Sequence, residues 1–227
     1  MKISESLKKR MWAVLNAAEN DSGSYETEYA TIYIYNDGPN KVKQLTLSRG
    51  ITQYGNMKSL LQMYINDGGK YSNNFKPYVD ILTKSSTVKD SSFKALLIKA
   101  AKEDQIFRTA EDKIFDDKYL RPALEFADKN GFGQPLSLMV ILDSYLHSGT
   151  IFDFLRTRFP EKTPAKGGNE KIWIKEYVDA RHSWLANHSN RILQNTTYRT
   201  QFLKNQIKDE NWYFNPPVVM NGTKIPF

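Results

Sequence analysis

Residues 3–20 read Ile-Ser-Glu-Ser-Leu-Lys-Lys-Arg-Met-Trp-Ala-Val-Leu-Asn-Ala-Ala-Glu-Asn. Ile3, Leu7, Met11, Val14, Leu15 and Ala18 recur at steps of three and four, which lays them along one face of an α-helix. The helix buries that face and carries Glu19 to its C-terminal end, where the helix dipole and apolar neighbours both disfavour negative charge. A carboxyl so placed is expected to keep its proton, as a general acid must. Eighteen positions on (37 − 19), Asp37 stands in Tyr35-Asn36-Asp37-Gly38-Pro39, a turn-forming stretch in which a carboxylate stays solvated and ionised. One protonated and one ionised carboxyl are what hydrolysis of a glycosidic bond requires. The pair alone reads more readily as a solvated helix end and a turn former.

Working outward, Thr31 to Tyr35 and Gln44 to Leu47 are β-prone and form a hairpin with a long loop. From Asn56 the pattern turns helical through Met57, Leu60, Leu61 and Tyr64, until Asn66-Asp67-Gly68-Gly69 stops it. Lys84 to Ser92 is polar and turn-rich, the best candidate for a linker. The reading is therefore an N-terminal lobe over residues 1–83 (helix, hairpin, helix) and a larger helical lobe over 84–227, together one catalytic domain. Helices are predicted over Phe93–Glu103, Gln105–Lys118, Leu120–Lys129, Gln134–His147, Ile151–Arg158, Asn169–Ala186 and Thr197–Glu210. Leu136 and Leu138 to Leu142 are apolar nearly all round, so that helix is the buried spine of the larger lobe. Asp143 follows directly, and a buried carboxylate needs a cation; Arg181 is the candidate. Such a pair either holds the lobe together or orients Glu19.

Composition narrows the chemistry. A chain of 227 residues, 40% hydrophobic and 13% aromatic, is long and apolar enough for a proper core. No apolar run approaches the roughly 18 to 20 residues of a membrane helix, so membrane insertion is not expected. The first residues lack the apolar region of a Sec-type signal. Cysteine is absent, Gly-x-Ser-x-Gly is absent, and His147, His182 and His188 lack zinc-motif clustering, so neither metal nor cofactor is expected, and His182 and His188 are assigned to the surface. A net charge of +7 and a pI near 9.3 favour polyanionic partners. The basic residues are scattered and match no nucleic-acid module, so nucleic acid is a distant second choice.

With these segments in order, the chain resembles the glycoside hydrolase family 46 chitosanases of the lysozyme superfamily, over nearly its whole length. Leu15-Asn16-Ala17-Ala18-Glu19-Asn20 is similar to the family's Ser-Ala-Glu-Asn segment, and Asp37-Gly38 falls at the family's spacing for the base. Phe107 to Asp112, Tyr119 to Ala123, Ala127 to Gly131 and Asp143 to Gly149 follow the family's central helices. Gly168 to Trp173, Tyr177-Val178-Asp179-Ala180-Arg181 and Asn215-Pro216-Pro217 match later segments. The resemblance implies a mainly α, two-lobed, lysozyme-like fold with a small β-hairpin or sheet and a central cleft. It implies endo-hydrolysis of a β-1,4-linked amino-sugar polymer with inversion, Glu19 as general acid and Asp37 as general base, their carboxyls roughly 6.5 to 9.5 Å apart. Asp143 and Arg181 would support the acid, with a further arginine at Arg191 or Arg199.

Three departures bear on the substrate. Asp37-Gly38-Pro39-Asn40-Lys41-Val42 replaces the family's Asp-Gly-Arg-Gly-Tyr-Thr, so the base loop is rebuilt and the water-positioning threonine falls loosely on Thr46. With that loop altered, Glu26 or Glu28 is an alternative base. The family's acid for a glucosamine ammonium is here Asn56, and a neutral amide cannot pair with that cation. The +7 charge also opposes a polycation and suits peptidoglycan. The expectation is a monomeric wall hydrolase acting on peptidoglycan outside the cytoplasm and delivered by a route other than Sec, like phage lysis proteins and secreted effectors, unless the chain has been trimmed. A chitosanase and a non-catalytic glycan-binding module are the alternatives. Tyr35, Arg49 and Asn56 are candidate substrate contacts, and Trp12, Tyr33, Tyr35 and Tyr54 candidate stacking platforms.

Overall fold

Met11 through Ala18 are buried without exception. In the computed structural model, which describes residues 1–20 and 28–227, they form the second half of helix α1 (Glu5–Asn20). From Met11 to Ala18 the helix is enclosed on every side rather than along one stripe. Trp12, 1% exposed, is core and no sugar platform. Helix α1 packs on α7 (Pro135–Ser148) and on a C-terminal hairpin of β4 (Val218–Met220) and β5 (Thr223–Ile225). That hairpin was not predicted, although its Asn221-Gly222 turn, with φ of 48° and 80°, is a strong two-residue hairpin signal.

The expected hairpin is present as β1 (Ile32–Tyr35) and β2 (Gln44–Leu47), extended by a short β3 (Ile51–Thr52) into an antiparallel sheet of order β1-β2-β3. Its register sorts the side chains by period two. Ile32 faces Leu47, Ile34 faces Leu45 and Leu47 faces Ile51, giving an apolar face whose Leu45, Leu47 and Ile51 are fully buried. The opposite face pairs Tyr33 with Thr46, Tyr35 with Gln44 and Thr46 with Thr52.

The chain forms two compact units whose boundaries differ from the predicted break at residue 84. One is Ser24–Asp117; the other joins Met1–Gly23 to Lys118–Phe227. In the first, Gln53 Nε2 donates to the carbonyls of Leu82 (2.8 Å) and Lys84 (3.2 Å), and Thr87 and Val88 are buried. Asp90 accepts from Phe93 N at 3.0 Å, capping α4 (Ser91–Glu103). The polar stretch 84–92 is thus a packed and capped helix entry, not a linker. Helices α2 (Met57–Asn66), α3 (Ser72–Val79) and α5 (Gln105–Phe115) complete this unit around Tyr64, Phe75, Phe93 and Phe107, whose rings meet mostly edge to face. Helix α3 escaped prediction because Pro77 and a polar first turn hide it.

The second unit holds α1 and the later helices: α6 (Arg121–Asn130), α7, α8 (Asp153–Arg156), α9 (Glu170–Ala186), α10 (Arg191–Gln194) and α11 (Thr197–Lys208). Leu136 to Ser144 of α7 are all buried, so this helix is the spine. The Glu170 carboxylate accepts from Gly133 N and Gln134 N at 2.8–3.1 Å and so caps the start of α7. Among the described residues no helix is long and apolar enough to cross a membrane. The fold is mainly α with a small antiparallel sheet.

Candidate active site

Helix α11 places two adjacent residues at the end of α1. The Tyr198 hydroxyl donates to the carbonyl of Ala18 at 2.5 Å, holding one of the last carbonyls of α1. Arg199 Nη1 donates to Glu19 Oε1, also at 2.5 Å. Behind this contact Arg199 Nε and Nη2 lie 2.9 and 2.7 Å from Asp143 Oδ1, while Arg181 Nη1 donates to Asp143 Oδ2 at 2.6 Å. Asp143, Arg181 and Arg199 are each 1% exposed, whereas the Glu19 side chain is 44% exposed. Glu19, Arg199, Asp143 and Arg181 therefore form an ion chain of alternating sign with one end in solvent. Instead of the apolar setting expected from the sequence, Glu19 has a guanidinium partner. Of the two arginines left open, Arg199 makes the contact; Arg191 is exposed at the start of α10.

Burial by itself would raise the pKa of Asp143, but Arg199 and Arg181 outweigh it and hold the carboxyl well below the ordinary carboxylate range. Arg199 is shifted up, its burial overcome by Asp143 and Glu19. Arg181 Nη2 also approaches His147 Nδ1 at 3.2 Å. Burial and the two guanidiniums bring His147 down to about 4, so at neutral pH its ring is uncharged and accepts from Arg181. His147 lies one turn after Asp143 on α7 and extends the chain of paired groups beyond Arg181. His182 likewise is partly buried, its Nδ1 2.8 Å from Thr200 Oγ1.

In the other unit, Asp37 is exposed in the loop between β1 and β2. Gln44 Nε2 donates to its Oδ1 at 3.0 Å. The loop closes on itself through Gly38 N to Val42 O (3.0 Å), Lys41 N to Gly38 O (2.9 Å) and Val42 N to Pro39 O (3.2 Å). A Cβ on Gly38 would stand 2.8 Å from Val42 O and 3.1 Å from the Tyr54 ring, so only glycine fits here. Thr46, on the same sheet face as Gln44, is 8% exposed, and its Oγ1 has no hydrogen-bond partner among the described residues. Tyr35 is 50% exposed and stacks on Tyr33 with ring centroids 5.8 Å apart.

Two further candidates serve structure. Arg49 is turned inward, 4% exposed; its Nη2 donates to Asp112 Oδ1 at 2.5 Å, and its guanidinium lies 4.6 Å from the Phe115 ring centroid. Asn56 Oδ1 accepts from Thr52 N at 3.1 Å and so ties the turn before α2. Glu26 lies outside the described residues, as does the side chain of Glu28. Sequence reasoning missed Tyr198, His147 and Gln44. The signals available were the i,i+4 spacing of His147 from Asp143 and the in-register position of Gln44 opposite Tyr35.

Comparison with known proteins agrees with this architecture. Residues 13–218 match the model of glycosyl hydrolase family 46. The chain is 25% identical, over 235 aligned positions, to a chitosanase of Bacillus subtilis strain 168, covering 95% of this chain and 82% of that one. The native chitosanase of Bacillus subtilis MY002 superposes with a TM-score of 0.73 at 24% identity, over 97% of each chain. A Gynuella sunshinyii family 46 chitosanase in complex with chitotetraose gives 0.76 at 20% identity, over 100% of this chain and 99% of that one. With the family match spanning nearly the whole sequence, the chain belongs to glycosyl hydrolase family 46 and is a glycoside hydrolase.

Proposed function

We propose that this protein cleaves internal β-1,4 bonds of an amino-sugar polymer with inversion, Glu19 giving a proton to the leaving oxygen and Asp37 activating the attacking water. The observation that carries this reading is the ion chain ending at Glu19. Buried ion pairs add little net stability, so three buried charges leading to one exposed carboxyl are better explained by placing that carboxyl. Arg199 fixes the direction of the Glu19 carboxyl and stabilises the carboxylate that proton donation leaves. Asp143 offsets the charge of the guanidinium and, with Arg181, prevents it from swinging. Asp37, exposed and held by an uncharged amide, suits a base that must meet water. The buried, unpartnered hydroxyl of Thr46 is the candidate to orient that water, and Tyr35 the candidate platform for a sugar ring.

For the polymer we favour peptidoglycan, met outside the cytoplasm. Asn56 brings no negative charge and its Oδ1 already accepts from Thr52 N, which makes it a poorer partner for an ammonium group than a carboxylate. The net charge of +7 draws the molecule towards anionic wall polymers. Chitosan is the second reading, favoured by the relatives, which are named chitosanases, one of them bound to chitotetraose. Mass spectrometry of products from purified peptidoglycan and, separately, chitosan decides between them. Wild type is expected to release reducing-end muropeptides, and Glu19→Gln to release none while keeping its fold. Glucosamine oligomers alone refute the peptidoglycan reading, and full activity in Glu19→Gln refutes the assignment of the acid.

A further inference from the structure

We infer that Gln44 is the positioning residue for Asp37, an inference that rests on Asp37 being the base. The closed turn fixes the backbone of Asp37, but an exposed aspartate on a fixed backbone still rotates about its own side-chain bonds. Gln44 removes that freedom. It opens β2 directly opposite Tyr35, two residues before Asp37, and is itself only 6% exposed, so its donor is held by the sheet. Its Nε2 donates to Oδ1 at 3.0 Å, and no other described residue donates to this carboxylate. The two carboxyls are thus held by opposite means: Glu19 by a full guanidinium charge, Asp37 by an amide that orients without neutralising. A general base needs its carboxylate oriented, and an amide donor does this without setting the full opposing charge of lysine or arginine against it. Gln44 shares its sheet face with Thr46, so one strand would both orient the base and present the hydroxyl for water.

The test is Gln44→Met, which keeps length and burial and removes the donor, assayed on peptidoglycan and soluble chitosan beside Asp37→Asn. A hydrogen bond to a charged group corresponds to a fall in kcat of about 10- to 100-fold, with KM within about twofold. Gln44→Glu, which sets a second carboxylate against Asp37, is expected to fall further. An unchanged kcat in Gln44→Met with Asp37→Asn inactive overturns the role of Gln44 and leaves the base in place. Full activity in Asp37→Asn overturns the base itself. A measurement independent of turnover is the side-chain amide signal of Gln44 in a ¹⁵N-correlated NMR spectrum. It is expected to move towards that of a free amide in Asp37→Ala; an unmoved signal overturns the contact, even where the Gln44 variants fail to fold.

Discussion

Replacing Asp143 by asparagine tests the ion chain at its centre. Asp143 bridges Arg181 and Arg199, all three 1% exposed, and its loss leaves two buried guanidiniums around a neutral amide. Breaking a buried pair in this way costs about 3–5 kcal/mol. For a protein of this size each kcal/mol lowers Tm by about 2–4 °C, so a fall of about 6–20 °C is expected. Arg199 keeps Glu19 as a partner, which leaves Arg181 as the stranded charge; Asp143→Asn with Arg181→Met should therefore recover part of the loss. The pH dependence has a definite sign. Asp143 is held below its ordinary value of 3.8, so its contribution is present above that pH and is lost as pH falls below it towards the folded value. Urea unfolding followed by circular dichroism should give a large gap between wild type and Asp143→Asn at pH 7 and a smaller one at pH 3. A loss under about 1 kcal/mol at pH 7, or a double variant no more stable than the single one, refutes the reasoning.

Other outcomes follow from the same physics. His147 is shifted down from 6.5 to about 4, first by burial and then by Arg181 and Arg199, so wild type should lose stability as pH falls between those values. His147→Gln should remove that slope in a series of thermal melts. Glu111 is completely buried, and burial raises its carboxyl well above 4.5 against the opposing influence of Ser48 and Arg49. Its contribution is therefore fullest below 4.5 and is lost as pH rises, so Glu111→Gln should stabilise by about 1 kcal/mol or more at pH 8 and by less at pH 5. Gly38→Ala forces the turn away from Val42 O and Tyr54; turnover should fall about 10-fold or more while Tm drops by only a few degrees.

Much of the local structure was legible in the sequence. The apolar steps from Ile3 to Ala18 placed α1, the β-prone runs at residues 31–35 and 44–47 placed the hairpin, and the uniformly apolar run before Asp143 placed the spine. Each signal lies within a few residues of the structure it specifies, because helix and strand periods are properties of neighbouring residues. The packing of 84–92 and the inward turn of Arg49 were not legible for the complementary reason. Polarity suggests exposure, yet Thr87 is buried, and the Arg49 side chain turns inward onto Asp112, 63 positions away.

The sequence by itself determined which carboxyls stand where chemistry is possible, Glu19 ending a helix and Asp37 in a turn. Only the tertiary structure decided how each is held. Arg199 reaches Glu19 across 180 positions, and no local pattern distinguishes it from Arg191. Asp143, Arg181 and His147 come together from two helices that are far apart in the chain and packed in the same unit. Periodicity is encoded in adjacent residues, but the pairing of charges is settled by which surfaces the buried core brings into contact.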